Sequence, residues 1–350
     1  MKINARYIFD MKTNNPFGFV AATMLLAVSA FADDLRIGIV GCDTSHVPAF
    51  TEIFNNPKTE GFVPGGKVVA AFKGGSMDFP QSATRVEGFK KTLQEKFGVK
   101  FYDTIPALCS NVDVVLLESV DGRAHLEQAR QIIAGHKPLF IDKPMAASLA
   151  DVLEIFQLAK EANVPIWSSS SLRFGKDSQS VREGIIGAVK HAETYSPLEL
   201  GEHHPELFFY GIHGVESLFT VMGTGCESVQ RRTETNGAVE VVGTWRGGRT
   251  GIYRQDLAKK YHGTAEGQKG EAAIGSYDGY APLAVEIMKF FQTGKAPVKP
   301  EETIEMFAFM AAAQASKEKG GAVVRLDEVM PKVRRQSAKV DADNLLVHEN

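Results

Sequence analysis

The stretch from Leu35 to His46, LRIGIVGCDTSH, constrains this chain more than any other. Ile37, Ile39 and Val40 form an apolar run with no polar break, the pattern of a strand buried on both faces of a parallel sheet. Gly41 ends the run. Asp43, Thr44 and Ser45 are residues that cap helices, and Val47, Phe50 and Phe54 follow at helical spacing. Strand, tight turn and helix in this order open a dinucleotide-binding fold, in which backbone N–H groups of the turn and the helix N-terminus hold a pyrophosphate. The Gly-x-Gly-x-x-Gly fingerprint is incomplete. Gly41 is present, but Asp43 and His46 stand where the second and third glycines belong. An Asp at the second position adds a side chain and a negative charge facing a dianionic ligand. Two readings stay open on these residues: retained binding, or an α/β domain that kept its first turn and lost its cofactor.

A chain of 350 residues has room for two domains and a large core. A net charge of -3 provides no basic field, which argues against nucleic acid as a partner. The three cysteines, Cys42, Cys109 and Cys226, are far apart and read as buried thiols. At the N-terminus Phe17 to Phe31 is apolar, is preceded by Lys2, Arg6 and Lys12, and is followed by the small-x-small site Ala30-Phe31-Ala32. We read residues 1–32 as a secretory signal, with Met11 as an alternative start and an uncleaved anchor as the alternative fate. The run is short for a membrane span, which needs about 20 apolar residues. A mature chain with no second such run is expected to be exported, periplasmic or secreted, without a span. No twin-arginine pair precedes the run, so export as an unfolded chain is expected, into a compartment where nicotinamide dinucleotides are scarce.

Past the first helix, strands are expected at Lys67–Phe72, Val99–Tyr102, Val112–Glu118, Pro138–Ile141 and Val164–Trp167. Helices are expected at Ala83–Phe97, Ile105–Leu108, His125–Ala134 and Ala150–Ala162. This alternation predicts an α/β fold with a doubly wound parallel sheet over residues 33–167. Ser168 to Ser171 reads as the crossing to a second α/β domain, 168–335, with a polar tail at 336–350. There, strands at Val189–Ser196, Val239–Trp245 and Thr250–Arg254 and Gly-rich turns predict an open, mostly antiparallel sheet. Helices are expected at Asp177–Ile186, His213–Met222, Tyr280–Phe291 and Glu301–Lys317.

Asp142-Lys143-Pro144 resembles the Glu-Lys-Pro motif of the Gfo/Idh/MocA oxidoreductases. Asp113-Val114-Val115, His125-Leu126-Glu127-Gln128-Ala129, Gly211-Ile212-His213 with Glu216, and Gly294-Lys295-Ala296-Pro297 resemble further motifs of that family, in order and nearly across the mature chain. The resemblance implies a Rossmann-type domain joined to a substrate and oligomerisation domain, NAD or NADP as cofactor, a sugar or cyclitol substrate, and a homo-oligomer. The departures are as specific. Two turn glycines are missing, the family's Thr-Pro pair is replaced by Glu118-Ser119, and the family's usual catalytic Asp falls at Phe209.

Lys143 follows a strand at the carboxyl edge of the sheet, where such sites lie, and a desolvated lysine there can take a hydroxyl proton. His213 opens a helix with Glu216 one turn on, a spacing that allows an imidazole held by a carboxylate. Lys143, His213 and Glu216 are therefore the candidate catalytic residues. Gly38, Gly41, Asp43, Thr44, Ser45, His46, Lys73, Glu118 and Lys143 are the candidate cofactor contacts, and Arg173, Tyr210 and His204 the candidate substrate contacts. Lys73 and Ser76 suit a 2′-phosphate and hence NADP; a plain basic loop is the alternative. Glu202, His203, His204 and Glu206 cluster in sequence, but adjacent histidines on an extended segment point opposite ways, so no metal site is assigned there. Three functions remain in view: an NAD(P)-dependent oxidoreductase on a sugar or cyclitol hydroxyl, a non-redox lyase or hydrolase on a keto-sugar or glycoside, and a carbohydrate-binding protein without turnover.

Overall fold

A computed structural model describes residues 34–330 apart from Glu202. The secretory signal expected at 1–32 and the polar tail expected at 336–350 lie outside the described residues. Six strands, β1 (Leu35–Val40), β2 (Gly66–Phe72), β3 (Lys100–Phe101), β4 (Val114–Leu117), β5 (Leu139–Asp142) and β6 (Ile166–Ser169), form one sheet in the order β3-β2-β1-β4-β5-β6. Every pairing in it is parallel. This is the doubly wound order of a dinucleotide-binding domain, with its switch point between β1 and β4.

The period-2 alternation of each strand divides the core. Ile37, Ile39, Val114, Leu116, Phe140 and Trp167 share one cluster with Val47, Phe50 and Phe54 of the helix His46–Asn55 and with Leu283, Ala284 and Ile287 of the helix Ala281–Thr293. Val115, Leu117, Leu139 and Ile141 pack with Leu108, Ile132, Val152 and Ile155 on the other face. A helix from late in the chain thus covers one face of the first sheet. Gly38 of β1 is a packing residue rather than a cofactor contact: a Cβ there would lie 2.7 Å from Leu108 Cδ2.

The second sheet runs β12-β11-β7-β10-β9-β8-β13. Its strands are β7 (Val189–Ser196), β8 (Cys226–Thr233), β9 (Val239–Trp245), β10 (Arg249–Gln255), β11 (His262–Gly267), β12 (Gly270–Ile274) and β13 (Val324–Arg325). Only the β7–β10 pairing is parallel. The helix Ile212–Met222 packs against this sheet and is buried along its whole length. A helix enclosed on every side is placed by its neighbours, so the side chains at its start are held firmly. Cys42, Cys109 and Cys226 are free, buried thiols. No described helix is long and apolar enough to cross a membrane.

Candidate active site

Four strand ends deliver the site. β1 leads into the Gly41–Ser45 turn, β4 into Glu118, β5 into Asp142 and Lys143, and β6 into Ser169 and Ser170. His125 ties two of these ends together: its Nε2 lies 2.7 Å from the Ser119 carbonyl and its Nδ1 3.2 Å from the Met145 carbonyl. The Lys143 ammonium sits 5.1 Å from the Tyr210 ring centroid and 5.7 Å from that of Phe209. The Tyr210 ring lies 5.8 Å from that of His213. Lys143, just after β5, and His213, on the helix packed against the second sheet, therefore meet across one tyrosine. Both are nearly enclosed, 8% and 6% exposed.

Aromatic rings wall this cleft. Tyr261 stands edge-on to His213 at 5.6 Å, Tyr277 follows at 6.5 Å, and Tyr280 closes the arc against His46 at 4.7 Å. Tyr261, Tyr277 and Tyr280 come from loops and a helix start, where no periodicity marks them in the sequence. Ser170 was equally hidden, inside a serine run that read as a crossing. Its Oγ lies 2.7 Å from His213 Nδ1 and accepts the Leu172 N–H.

Burial sets the electrostatics. Desolvation lowers the Lys143 pKa, opposed by the charges of Asp142 and Glu118. An amine so placed loses its proton more readily than a free lysine. Desolvation, then the Lys143 and His46 charges, push His213 well below the usual histidine value, so it is neutral at pH 7. The linkage sign follows. Below about pH 6.5 an unfolded imidazole binds a proton that the folded one does not, so stability falls as pH drops. His213→Gln should flatten that slope by up to ~1.4 kcal/mol per pH unit, read from urea melts between about pH 5 and 6.5. An unchanged slope would contradict a buried, neutral His213.

Several sequence-derived assignments need correction. Glu216 does not hold His213: its Oε1 accepts from Ser169 Oγ and Arg173 Nε, both at 2.7 Å, and its Oε2 from Ser170 N at 2.9 Å. Helical spacing set it on the right face, but the end of β6 lies closer than the imidazole. Arg173 is no substrate contact. It is 2% exposed and spans Glu216 and Glu302, the latter at 2.5 Å. His204 packs between Phe79 and Phe209 with Nε2 3.3 Å from Asp121 Oδ1, so its ring faces a buried partner rather than the cleft. Lys73 forms an exposed ion pair of 2.6 Å with Glu87. Phe209, at the position of the family's usual acid, packs edge-on to Phe79.

Residues 35–170 match the model of an oxidoreductase family with an NAD-binding Rossmann fold, Gfo/Idh/MocA. Solved structures share the fold of this chain along nearly their full length. One is a probable dehydrogenase from Thermotoga maritima, 20% identical, TM-score 0.67, covering 85% of this chain and 100% of its own. Another is myo-inositol dehydrogenase from Lactobacillus casei in complex with NAD(H) and myo-inositol, 17% identical, TM-score 0.66, covering 83% and 96%. A third is an Agrobacterium radiobacter oxidoreductase in complex with NAD+, L-tartaric acid and magnesium, 16% identical, TM-score 0.66, covering 85% and 100%. No curated protein matches the chain.

A dinucleotide on such a domain crosses the carboxyl edge of the sheet, its pyrophosphate over the first turn. In this protein several of the chain's own groups meet around that first turn. Asp43 is fully buried; its Oδ2 accepts from Ser82 Oγ at 2.5 Å and its Oδ1 from Val120 N at 2.9 Å. It thereby ties the segment after β2 to the segment after β4, across the turn. Gly74 closes over Gly41, where a Cβ would lie 3.1 Å from Gly41 Cα. Gly41 N and Cys42 N donate to the carbonyls of Phe72 and Lys73. Thr44, Ser45 and His46 at the helix start, with Glu118 and Lys143, remain positioned to line a dinucleotide. The Asp43 bridge and the Gly74 backbone thus lie beside the turn over which a pyrophosphate sits in such domains.

Proposed function

We propose that this protein is an NAD-dependent oxidoreductase acting on a secondary hydroxyl of a sugar or cyclitol. The observation that carries the reading is the convergence of Lys143 and His213 on Tyr210 beneath the tyrosine wall. Oxidising an alcohol requires a group to take the hydroxyl proton. Lys143, with its lowered pKa, does this, and neutral His213, steadied by Ser170, holds the adjacent oxygen. The tyrosines accept the C–H face of a ring and leave its hydroxyls to Lys143 and His213. A bound nicotinamide supplies the hydride acceptor. The inositol held by the Lactobacillus casei neighbour and the hydroxy acid held by the Agrobacterium one support a polyhydroxylated substrate. The pairing of Lys73 with Glu87 favours NAD over NADP. The apolar run at Phe17–Phe31 supports action after export, and family precedent supports a homo-oligomer.

A second reading, a non-redox lyase or hydrolase on a keto-sugar or glycoside in the same cleft, is favoured by one observation: the Asp43 bridge to Ser82 and Val120. The two readings separate in a fluorescence titration with NADH and NADPH. Asp43→Gly removes the bridge and a buried negative charge, so it should tighten NADH binding about tenfold or more. NADH should bind in preference to NADPH. Absence of binding in both proteins, with sugar turnover intact, would establish the non-redox reading.

A further inference from the structure

Glu118 is the most anomalous side chain in the molecule. It is wholly buried, and neither of its carboxylate oxygens has a hydrogen-bond partner. Taking a carboxylate out of water without a partner is expensive, and folded chains keep such a group only where something else repays the cost. Lys143, whose charge acts on it, makes no hydrogen bond to it; the ammonium lies over the Phe209 and Tyr210 rings. Glu118 is not isolated. Asp142, 3% exposed, presents Oδ1 without a partner, while its Oδ2 lies 2.6 Å from His46 Nδ1. One ligand atom from each of His46, Glu118 and Asp142 falls within 4.8 Å of the others.

These three residues have something in common in the sequence. His46 stands at the third glycine of the dinucleotide turn, Glu118 at the Thr of the Thr-Pro pair, and Asp142 at the Glu of Glu-Lys-Pro. Two departures, in the turn after β1 and at the end of β4, meet at one point of the sheet edge with the acidic residue that the motif itself carries at the end of β5. A departure that merely released a lost cofactor site would leave small or apolar residues. These two leave an imidazole and a carboxylate beside the carboxylate of Asp142.

We propose that His46, Glu118 and Asp142 form a binding site for a divalent first-row metal ion, Mn2+ or Zn2+, at the carboxyl edge of the first sheet. One nitrogen and two carboxylate ligands suit these ions. Ligand atoms of a tetrahedral site with such ions lie about 3.4 Å apart, so the 2.6 Å contact of His46 with Asp142 opens and Glu118 closes in, by side-chain shifts of about 1 Å. The ring of Tyr280 packs 4.7 Å from that of His46, whose Nδ1 faces Asp142. Only three protein ligands are present, so the ion keeps open positions. They are filled by water or by vicinal oxygens of a polyhydroxylated ligand in the cleft beside Lys143 and His213. The site does not depend on the redox reading, and it is tested without dinucleotide or sugar.

The full mature chain, stripped with a chelator and desalted, is titrated calorimetrically with MnCl2 and with ZnCl2 alone. One ion per chain is expected to bind with a micromolar or tighter Kd. Glu118→Gln, which keeps the shape and removes the charge, is expected to weaken binding at least about tenfold. Because a change at a buried position can disturb folding, the half-buried His46→Gln is measured beside it, with circular dichroism on both. In the Mn2+ complex a nitrogen coupling in the pulsed electron paramagnetic resonance spectrum is expected in the wild type and absent from His46→Gln. No binding up to millimolar metal would overturn the site. So would equal affinity in wild type and both folded variants, or a Mn2+ spectrum without nitrogen coupling.

Discussion

Lys143→Met is expected to reduce turnover of a polyol substrate by about two to four orders of magnitude, the usual worth of a positioned acid–base group. Its far-ultraviolet circular dichroism should remain that of the wild type. Methionine keeps the length and apolar stem of the lysine, so packing against Phe209 and Tyr210 survives while the proton acceptor is lost. The loss should fall on kcat rather than KM, because Tyr210, His213 and the tyrosine wall still receive the ring. Lys143→Arg should be no better. A guanidinium never gives up its proton under these conditions and is too broad for a site only 8% exposed. Retention of more than about a tenth of wild-type kcat in Lys143→Met would remove the amine from the chemistry.

The second large effect concerns stability. Arg173 is buried between Glu216 and Glu302, and Arg182 reaches Glu302 at 3.0 Å from the other side. Burial alone would weaken the Arg173 charge, and the two carboxylates more than offset it. Glu302 is correspondingly held below the usual carboxylate range. Removing one member strands the rest in a poorly solvated place. Arg173→Met should cost about 3–5 kcal/mol of folding stability and lower Tm on the order of 10 °C. Adding Glu216→Gln to Arg173→Met should recover part of the loss, because one stranded charge disappears. A double mutant as unstable as the sum of the single ones would show that the network is not coupled.

That network also explains what the sequence concealed. Spacing put Glu216 on the same helical face as His213, and it lies there. It is nevertheless claimed by Ser169, Ser170 and Arg173, which arrive from β6 and the turn after it. Local periodicity carries no information about which distant strand end will be nearer. For the same reason the meeting of His46 with Asp142, and the arc of Tyr261, Tyr277 and Tyr280, were invisible before folding. Lys143, His213 and Tyr210 were legible because each lies beside a family motif or a strand end whose position the parallel order dictates.

The fold itself divides similarly. β7 and β9 occupy the residues expected of them, and in the first sheet the strands announced by continuous apolar runs, such as VVLL of β4, appear within a residue or two. β8, β11 and β12 went unread. CESVQRRT is mostly charged and polar, and HGTAEG and GEAAI alternate small residues with exposed ones, so half-burial leaves little hydrophobic signal. The polar Gly74–Ala83 segment gave no sign that it would lie over the first turn. Nothing local to Asp43 predicts its bond to Ser82.

The most direct test of the chemistry follows a carbon-bound label. A panel of ring-deuterated sugars and cyclitols is incubated with the protein and NAD+, and the dinucleotide, the sugars and the water are examined by mass spectrometry and NMR. Deuterium appearing on the nicotinamide ring with one member of the panel, and failing to appear with Lys143→Met, is the expected result. Deuterium lost to water without any reaching the dinucleotide, or a label that stays wholly in place on every member of the panel, would contradict hydride removal in this cleft.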